Sequence, residues 1–288
     1  MATHDAPPSA ARRNVIKTLK HSDHMLVHLS RILDKSSGTD SLLQVTQYTL
    51  MVLYTQLERV RDKRMHKFFL ALIYRASKTL LSGETVIATL PSPTSRLDSI
   101  ITGSKKLSGM ISDFRTFTRL WGLLGIYTWA KATWNKPPAD GVIRTTVWIQ
   151  VLAGVGFQWY ENLAYLADKG VLHGEKFNSR TRARWWEISS RYWMAHCLLE
   201  VVRLLRQLQL DNKTATAAAA TTSDEAVANT TRSAASVDAW RRAFVVNAAW
   251  TPMTVHYSWE QGCIDDKWIG ILGLIASWTG FRQLWKST

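Results

Sequence analysis

Between Ser104 and Leu124 the chain reads SKKLSGMISDFRTFTRLWGLL, a stretch with two chemically different sides. Wound at about 100° per residue, it gathers Leu107, Met110, Ile111, Phe114, Phe117 and Trp121 on one face. Lys105, Ser112, Arg115, Thr116 and Arg119 occupy the other. A helix lying in the plane of a membrane needs this division, with cations at the headgroups and rings and branched chains among the acyl chains. A helix packed on a core with a solvated basic side has the same periodicity, so the rest of the chain must separate the two readings. Gly103 and Gly109 lower intrinsic helicity, and folding on the membrane itself is expected of this stretch.

The charge balance bears on that choice. Thirty-six Lys and Arg residues against 22 Asp and Glu give a formal charge of +14, which favours a polyanionic partner. The 14 tryptophans include several beside cations, at Arg184-Trp185-Trp186, Arg191-Tyr192-Trp193 and Trp240-Arg241-Arg242. Indoles suit a membrane interface, where one edge is apolar and the other wet. These aromatics share segments with long apolar runs rather than with base-stacking patterns, so an anionic phospholipid membrane is expected as the partner and nucleic acid is not.

Along the chain the periodicity predicts an all-α protein, a membrane-associated helical bundle with an amphipathic interfacial helix and one or two membrane-embedded helices. Residues 1–11 are polar and Pro-bearing and read as disordered. Residues 12–137 form a helical region punctuated by a turn at Ser36–Asp40, where Thr39 or Asp40 is placed to cap the next helix, and by the Pro91 and Pro93 break. Its remodelling helix spans about 95–127, and Pro137-Pro138 closes the region. Residues 138–210 make a central helical region. Within it Val142 to Tyr160 is mostly apolar but carries Arg144, Gln150 and Gln158, and Gly154 and Gly156 permit close helix approach. Residues 211–236, Ala- and Thr-rich without large apolar side chains, read as a low-complexity linker. Residues 237–288 form a membrane-anchoring region with a helix break at Pro252. Its uncharged run Trp268 to Phe281 carries a small-residue stripe of Gly270, Gly273, Ser277 and Gly280 for helix packing. It is expected to span or to lie deeply embedded, and the Lys/Arg excess after it predicts a cytosolic C-terminus.

Signals for chemistry are sparse. The sequence holds no phosphate-binding glycine loop, nucleophile elbow, His-Glu-x-x-His or paired-cysteine zinc spacing, so neither catalysis nor a cofactor or metal is expected. His21, His24 and His28 share a helical face, but nothing completes a ligand set, and they read as a solvated stripe. Cys197 and Cys263 read as buried reduced thiols, with a single disulfide the other possibility. The opening residues lack a secretory pattern and Lys286-Ser287-Thr288 is not a Ser-Lys-Leu address.

Several segments together resemble the peroxin-eleven family. They are Gly38-Thr39-Asp40-Ser41-Leu42-Leu43 with Gln47-Tyr48, then Ile111 to Leu120 within the two-faced stretch. Tyr160-Glu161-Asn162-Leu163-Ala164-Tyr165-Leu166 with Gly170-Val171-Leu172, and the Gly/Ser-rich C-terminal run, complete the set. The resemblance runs from about Leu29 to Trp285, with the Ala/Thr segment as an insertion. It implies a peroxisomal membrane protein with cytosolic termini that elongates the membrane and promotes fission and proliferation, acting as a homo-oligomer with fission-machinery proteins. On this reading Leu107, Met110, Ile111, Phe114, Phe117 and Trp121 insert in the membrane while Lys105, Arg115 and Arg119 bind headgroups. The alternative is a channel for small solutes, with Arg144, Gln150 or Gln158 lining a polar path.

Overall fold

A computed structural model describes residues 10–79, 81, 83–85, 87, 94–218 and 223–288, with side chains described at 17, 22–79, 81, 83–85, 87, 94–214, 216 and 236–288. Among the described residues all regular structure is helical. The helices are α1 (Ala10–Leu33), α2 (Ser36–Thr79), α3 (Ser95–Thr118), α4 (Gly122–Asn135), α5 (Gly141–Asp168), α6 (Ser179–Ala218), α7 (Ser223–Tyr257) and α8 (Asp266–Ser287). One 3-10 turn, Arg119–Trp121, joins α3 to α4, and another, Glu175–Phe177, precedes α6.

Local chemistry explains the boundaries. Pro137-Pro138 follows α4, and Asp140 caps α5 by accepting a hydrogen bond from the Ile143 amide at 3.0 Å. Gly170, at φ +70°, ends α5 in the left-handed conformation that lets the Val171 amide donate to Leu166 O at 2.9 Å. Asn178 receives the Thr181 amide at 2.9 Å and opens α6.

The helices follow one another around a ring. α3 packs on α2, α2 on α8, α8 on α7, α7 on α6 and α6 on α5; α4 and the turn before it return to α5. A small apolar core of Tyr48, Met253 and Ile269, flanked by Met51, Trp250 and Leu272, fastens α2, α7 and α8. From it an aromatic line runs Tyr48–Trp250–Trp193–Phe157, with ring centroids 5.8, 5.6 and 6.3 Å apart, across α2, α7, α6 and α5.

Several expectations need correction. The turn at Ser36–Asp40 is already the first turn of α2, where buried Gly38 lies against the Ile32 carbonyl of α1. Helix occupies most of the segment read as a linker: α6 runs on to Ala218 and α7 starts at Ser223, since alanine has the highest helix propensity whatever it packs on. α7 also continues through Pro252. Residues 1–9 and the Pro91–Pro93 break lie outside the described residues, as does the His21 side chain. Among the described residues no helix is long and apolar enough to cross a membrane, so the spanning expected of Trp268 to Trp285, and raised for Val142 to Tyr160, finds no support.

Asp140 does two jobs, capping α5 and accepting from Arg206 of α6 at 2.7 Å, and Arg206 with the Ile143 amide holds its carboxyl down at about 2. A carboxyl depressed in the folded state stabilises above the unfolded pKa near ~3.9 and loses that contribution as the pH falls toward the folded value. Thermal unfolding should therefore rank wild type above Asp140→Asn, which keeps a capping oxygen, and that above Asp140→Ala. The gap between wild type and Asp140→Asn should be full above about pH 5 and close as the pH falls to about 2.

Candidate membrane-interaction surface and its polar support

Helix α3 has two stripes with the same three-and-four spacing. Ile101, Ser104, Ser108, Ile111 and Arg115 are buried, with Ser108 Oγ donating to Gln47 O of α2 at 3.3 Å. Leu107, Met110, Phe114 and Phe117 form the second stripe, about 110° round the helix, which Trp121 of the 3-10 turn and Leu124 of α4 continue, and all six are 47–69% exposed. The side facing the bundle mixes Ile101 and Ile111 with two serines and Arg115, and the side rich in large apolar residues faces out. Tyr127 and Trp134 extend the exposed face along α4.

The residues read as membrane-inserting thus divide. Leu107, Met110, Phe114, Phe117 and Trp121 lie on the open face, whereas Ile111, 8% exposed, is seated inside the bundle. Leu124 takes its place in the stripe, since 107, 110, 114, 117, 121 and 124 continue one row that position 111 leaves.

The cations read as headgroup ligands are engaged within the fold. Arg115 is buried; its Nε donates to Asp40 Oδ1 at 2.8 Å and its Nη1 to Gln47 Oε1 at 3.0 Å. It ties α3 to α2 and is not free to meet a lipid. Arg119 Nη2 donates to Glu161 Oε1 at 2.7 Å and Nε to Oε2 at 3.1 Å. Burial opposes the charge on Arg119, yet the Glu161 carboxylate raises its pKa above the ordinary guanidinium value. Lys105, half exposed, pairs with Glu58 at 2.6 Å and lies over the Tyr54 ring. Lys106, which the sequence reading passed over, is exposed and outside every ion pair among the described residues.

The interior repeats this polarity. Gln158 donates to Asn162 Oδ1 at 2.7 Å, Asn162 donates to Leu120 O at 3.1 Å, and Gln150 donates to Glu200 Oε2 at 2.9 Å. Glu200 would have its pKa raised by burial, but Arg203 and Gln150 hold it below the ordinary value. Gln150 and Gln158, both buried, therefore satisfy helix contacts instead of lining an open path, and Arg144 is exposed. A cavity of about 650 Å³ lies within the ring, bordered by Gln47, Arg115, Arg119, Glu161, Trp193 and Trp250.

Two further expectations change. The stripe Gly270, Gly273 and Ser277 packs α8 on α2 of the same chain: a Cβ on Gly270 would lie 3.1 Å from Val52, and one on Gly273 would lie 2.3 Å from the Tyr48 ring. Gly280 points into open space. Tryptophans read as interfacial also make contacts within the fold, for Trp193 packs at a tilt in the aromatic line, Trp240 donates to Leu204 O at 2.8 Å, and Trp186 donates to the exposed Asp168 Oδ2 at 2.6 Å. Cys197 is buried and free, its thiol pushed up to about 12 by burial, while Cys263 is exposed and free. His28 hydrogen-bonds to Trp285 O at 2.9 Å.

Fold and surface together define an all-α bundle with a charge-paired interior and an apolar outer face on α3 and α4. The family model of Peroxisomal biogenesis factor 11 (PEX11) matches residues 89–285, and the chain belongs to that family. It is accordingly a peroxisomal membrane protein acting in peroxisome proliferation, in a family of biogenesis factors that is not a known enzyme family. The matched span contains the two-faced stretch, the Tyr160 block and the C-terminal run; the Gly38 to Tyr48 segment precedes it. No curated protein and no solved structure matches the chain.

Proposed function

We propose that the α3–α4 stripe lies in the cytosolic leaflet of the peroxisomal membrane and, by wedging it, favours elongation and fission. The observation that carries this reading is the uncovered row Leu107, Met110, Phe114, Phe117, Trp121 and Leu124. A monomer rarely leaves so continuous an apolar row to water, and such rows mark membrane or partner contacts. With about half of each side chain still exposed, covering the row gains roughly 1 kcal/mol per residue, on the order of 6 kcal/mol gross. Helix α3 is already folded and braced by Arg115, so little of that gain is spent on ordering the helix. Termini on the cytosolic side, self-association and recruitment of fission proteins complete the proposal.

The test uses the full chain on phosphatidylcholine and mixed anionic vesicles. Phe114→Asp/Phe117→Asp removes about 2 kcal/mol of insertion, so vesicle affinity should fall about 30-fold and tubules should disappear. Circular dichroism and the unfolding midpoint should stay close to wild type, because both rings are half exposed. Undiminished binding and tubulation by a folded double variant would overturn the wedge. Loss of self-association with vesicle binding intact would reassign the row to a second copy of the chain.

A further inference from the structure

Most basic side chains that bridge helices have a carboxylate: Arg115 with Asp40, Arg119 with Glu161, Lys105 with Glu58, Lys169 with Asp113, Arg206 with Asp140. One place departs from this. Between α7 and α8 a groove of about 560 Å³ is lined by Arg241, Arg242, Arg282, Lys286, Asp238 and Trp278 among others. Four cations stand against one carboxylate, and none of the four makes an ion pair among the described residues. The Arg242 Nε is buried without a hydrogen-bond partner. A buried guanidinium N–H without an acceptor is costly, and four clustered cations repel one another, so the groove is built at an energetic loss that an anion would recover. Trp278, more than half exposed, stands at the rim, where an indole suits the headgroup level.

We propose that this groove binds a phosphate monoester carrying two or more negative charges. The guanidinium forks of Arg241, Arg242 and Arg282 match phosphate oxygens bidentately, and Lys286 adds a point charge. A single diester phosphate leaves most of the four cations uncompensated; a monoester beside a diester, as in a phosphorylated inositol headgroup, balances them. The site deepens the proposed membrane reading by adding headgroup recognition on helices other than α3 and α4, and it is independent of the apolar row.

The experiment compares the full chain on phosphatidylcholine vesicles containing either phosphatidylserine or phosphatidylinositol 4-phosphate at equal total charge, with Arg242→Gln/Arg282→Gln and, as a control, Lys63→Gln/Arg64→Gln on exposed α2. Each groove cation removed should cost about fivefold, so the double variant should lose roughly 25-fold on phosphoinositide vesicles and much less on phosphatidylserine. The control should lose equally on both. Soluble inositol trisphosphate that raises the unfolding midpoint of wild type but not of the groove variant, with no phosphoinositide preference on vesicles, supports the same site with a soluble ligand. Equal losses for groove and control variants on both vesicle types, with no midpoint shift, would overturn the proposal. Phe114→Asp/Phe117→Asp separates the two ideas, because it should weaken binding to all vesicles while the midpoint shift with inositol trisphosphate persists.

Discussion

Arg119→Met is expected to lower stability by about 3 kcal/mol. The reason is asymmetric burial. The Glu161 side chain is 6% exposed whereas that of Arg119 is 37% exposed, so removing the arginine strands a carboxylate away from water. Gln158, at 3.4 Å, offers only a weak remaining donor. Glu161→Gln leaves a guanidinium that water already reaches, and about 1 kcal/mol is expected there. Arg119→Met/Glu161→Met should recover most of the loss, since replacing a buried pair by apolar groups of similar size is often neutral. Thermal unfolding in detergent reads this directly: for a domain of this size the midpoint should fall by about 6–12 °C for Arg119→Met and by about 2–4 °C for Glu161→Gln. Equal shifts for the two single variants, or a double variant at their sum, would show that the pair is not what holds the Arg119–Trp121 turn against α5. Trp121 belongs to that turn, so the Arg119–Glu161 pair also helps to place the exposed row.

The pair also shows where the sequence stops being informative. Helicity is legible in the sequence over most of the chain, because three-and-four periodicity is local, but not at Ser36–Asp40, in the Ala/Thr segment or at Pro252. The direction each helix faces is not legible. Ranking the faces of Ser104 to Leu124 by hydrophobicity places Ile111 with the rings and Arg115 with the solvent, and the structure reverses both. What turns Arg115 inward is Asp40 and Gln47 on α2, some seventy residues earlier, and no local pattern announces that pairing. The Gly38 to Tyr48 segment, part of the family resemblance, supplies those acceptors and the Tyr48 ring. The Ala/Thr segment misled for a different reason: without large apolar residues it has little to bury, yet alanine needs no burial to favour helix over coil.

An amphipathic helix in a water-soluble protein turns its apolar side inward. Here α3 presents Ser104, Ser108 and Arg115 to the bundle alongside Ile101 and Ile111, and α5 presents Gln150, Gln158 and Glu161 alongside Val147, Val151 and Tyr165. Exposed Ile149, Leu152 and Trp159 on α5, and Leu198, Val202 and Leu205 on α6, repeat the arrangement beyond the α3–α4 row. Helices whose buried faces mix polar with apolar residues lack a continuous apolar stretch long enough to cross a bilayer while still offering apolar outer faces.

The second large effect belongs to Gly273. The α8–α2 contact is close because this residue has no side chain: a Cβ would sit 2.3 Å from both Cδ1 and Cε1 of Tyr48, a ring buried in the core with Met253 and Ile269. Tyr48 also meets Trp250 at 5.8 Å, so the ring has little room to retreat. Gly273→Ala gains about 1 kcal/mol of helix propensity and should nevertheless be net destabilising by about 2 kcal/mol, because overpacking either tilts the ring or separates the helices. Gly280→Ala, on the same helix with open space around it, should be stabilising by up to about 1 kcal/mol. Tyr48→Leu in the Gly273→Ala background should restore part of the loss by making room for the methyl group. Denaturation midpoints of the three variants decide the matter, and Gly273→Ala as stable as Gly280→Ala would mean that α8 does not press on α2 through this glycine. Self-association adds a second readout. If Gly273 packs within one chain, Gly273→Ala at a concentration and temperature where it stays folded leaves the oligomeric state unchanged.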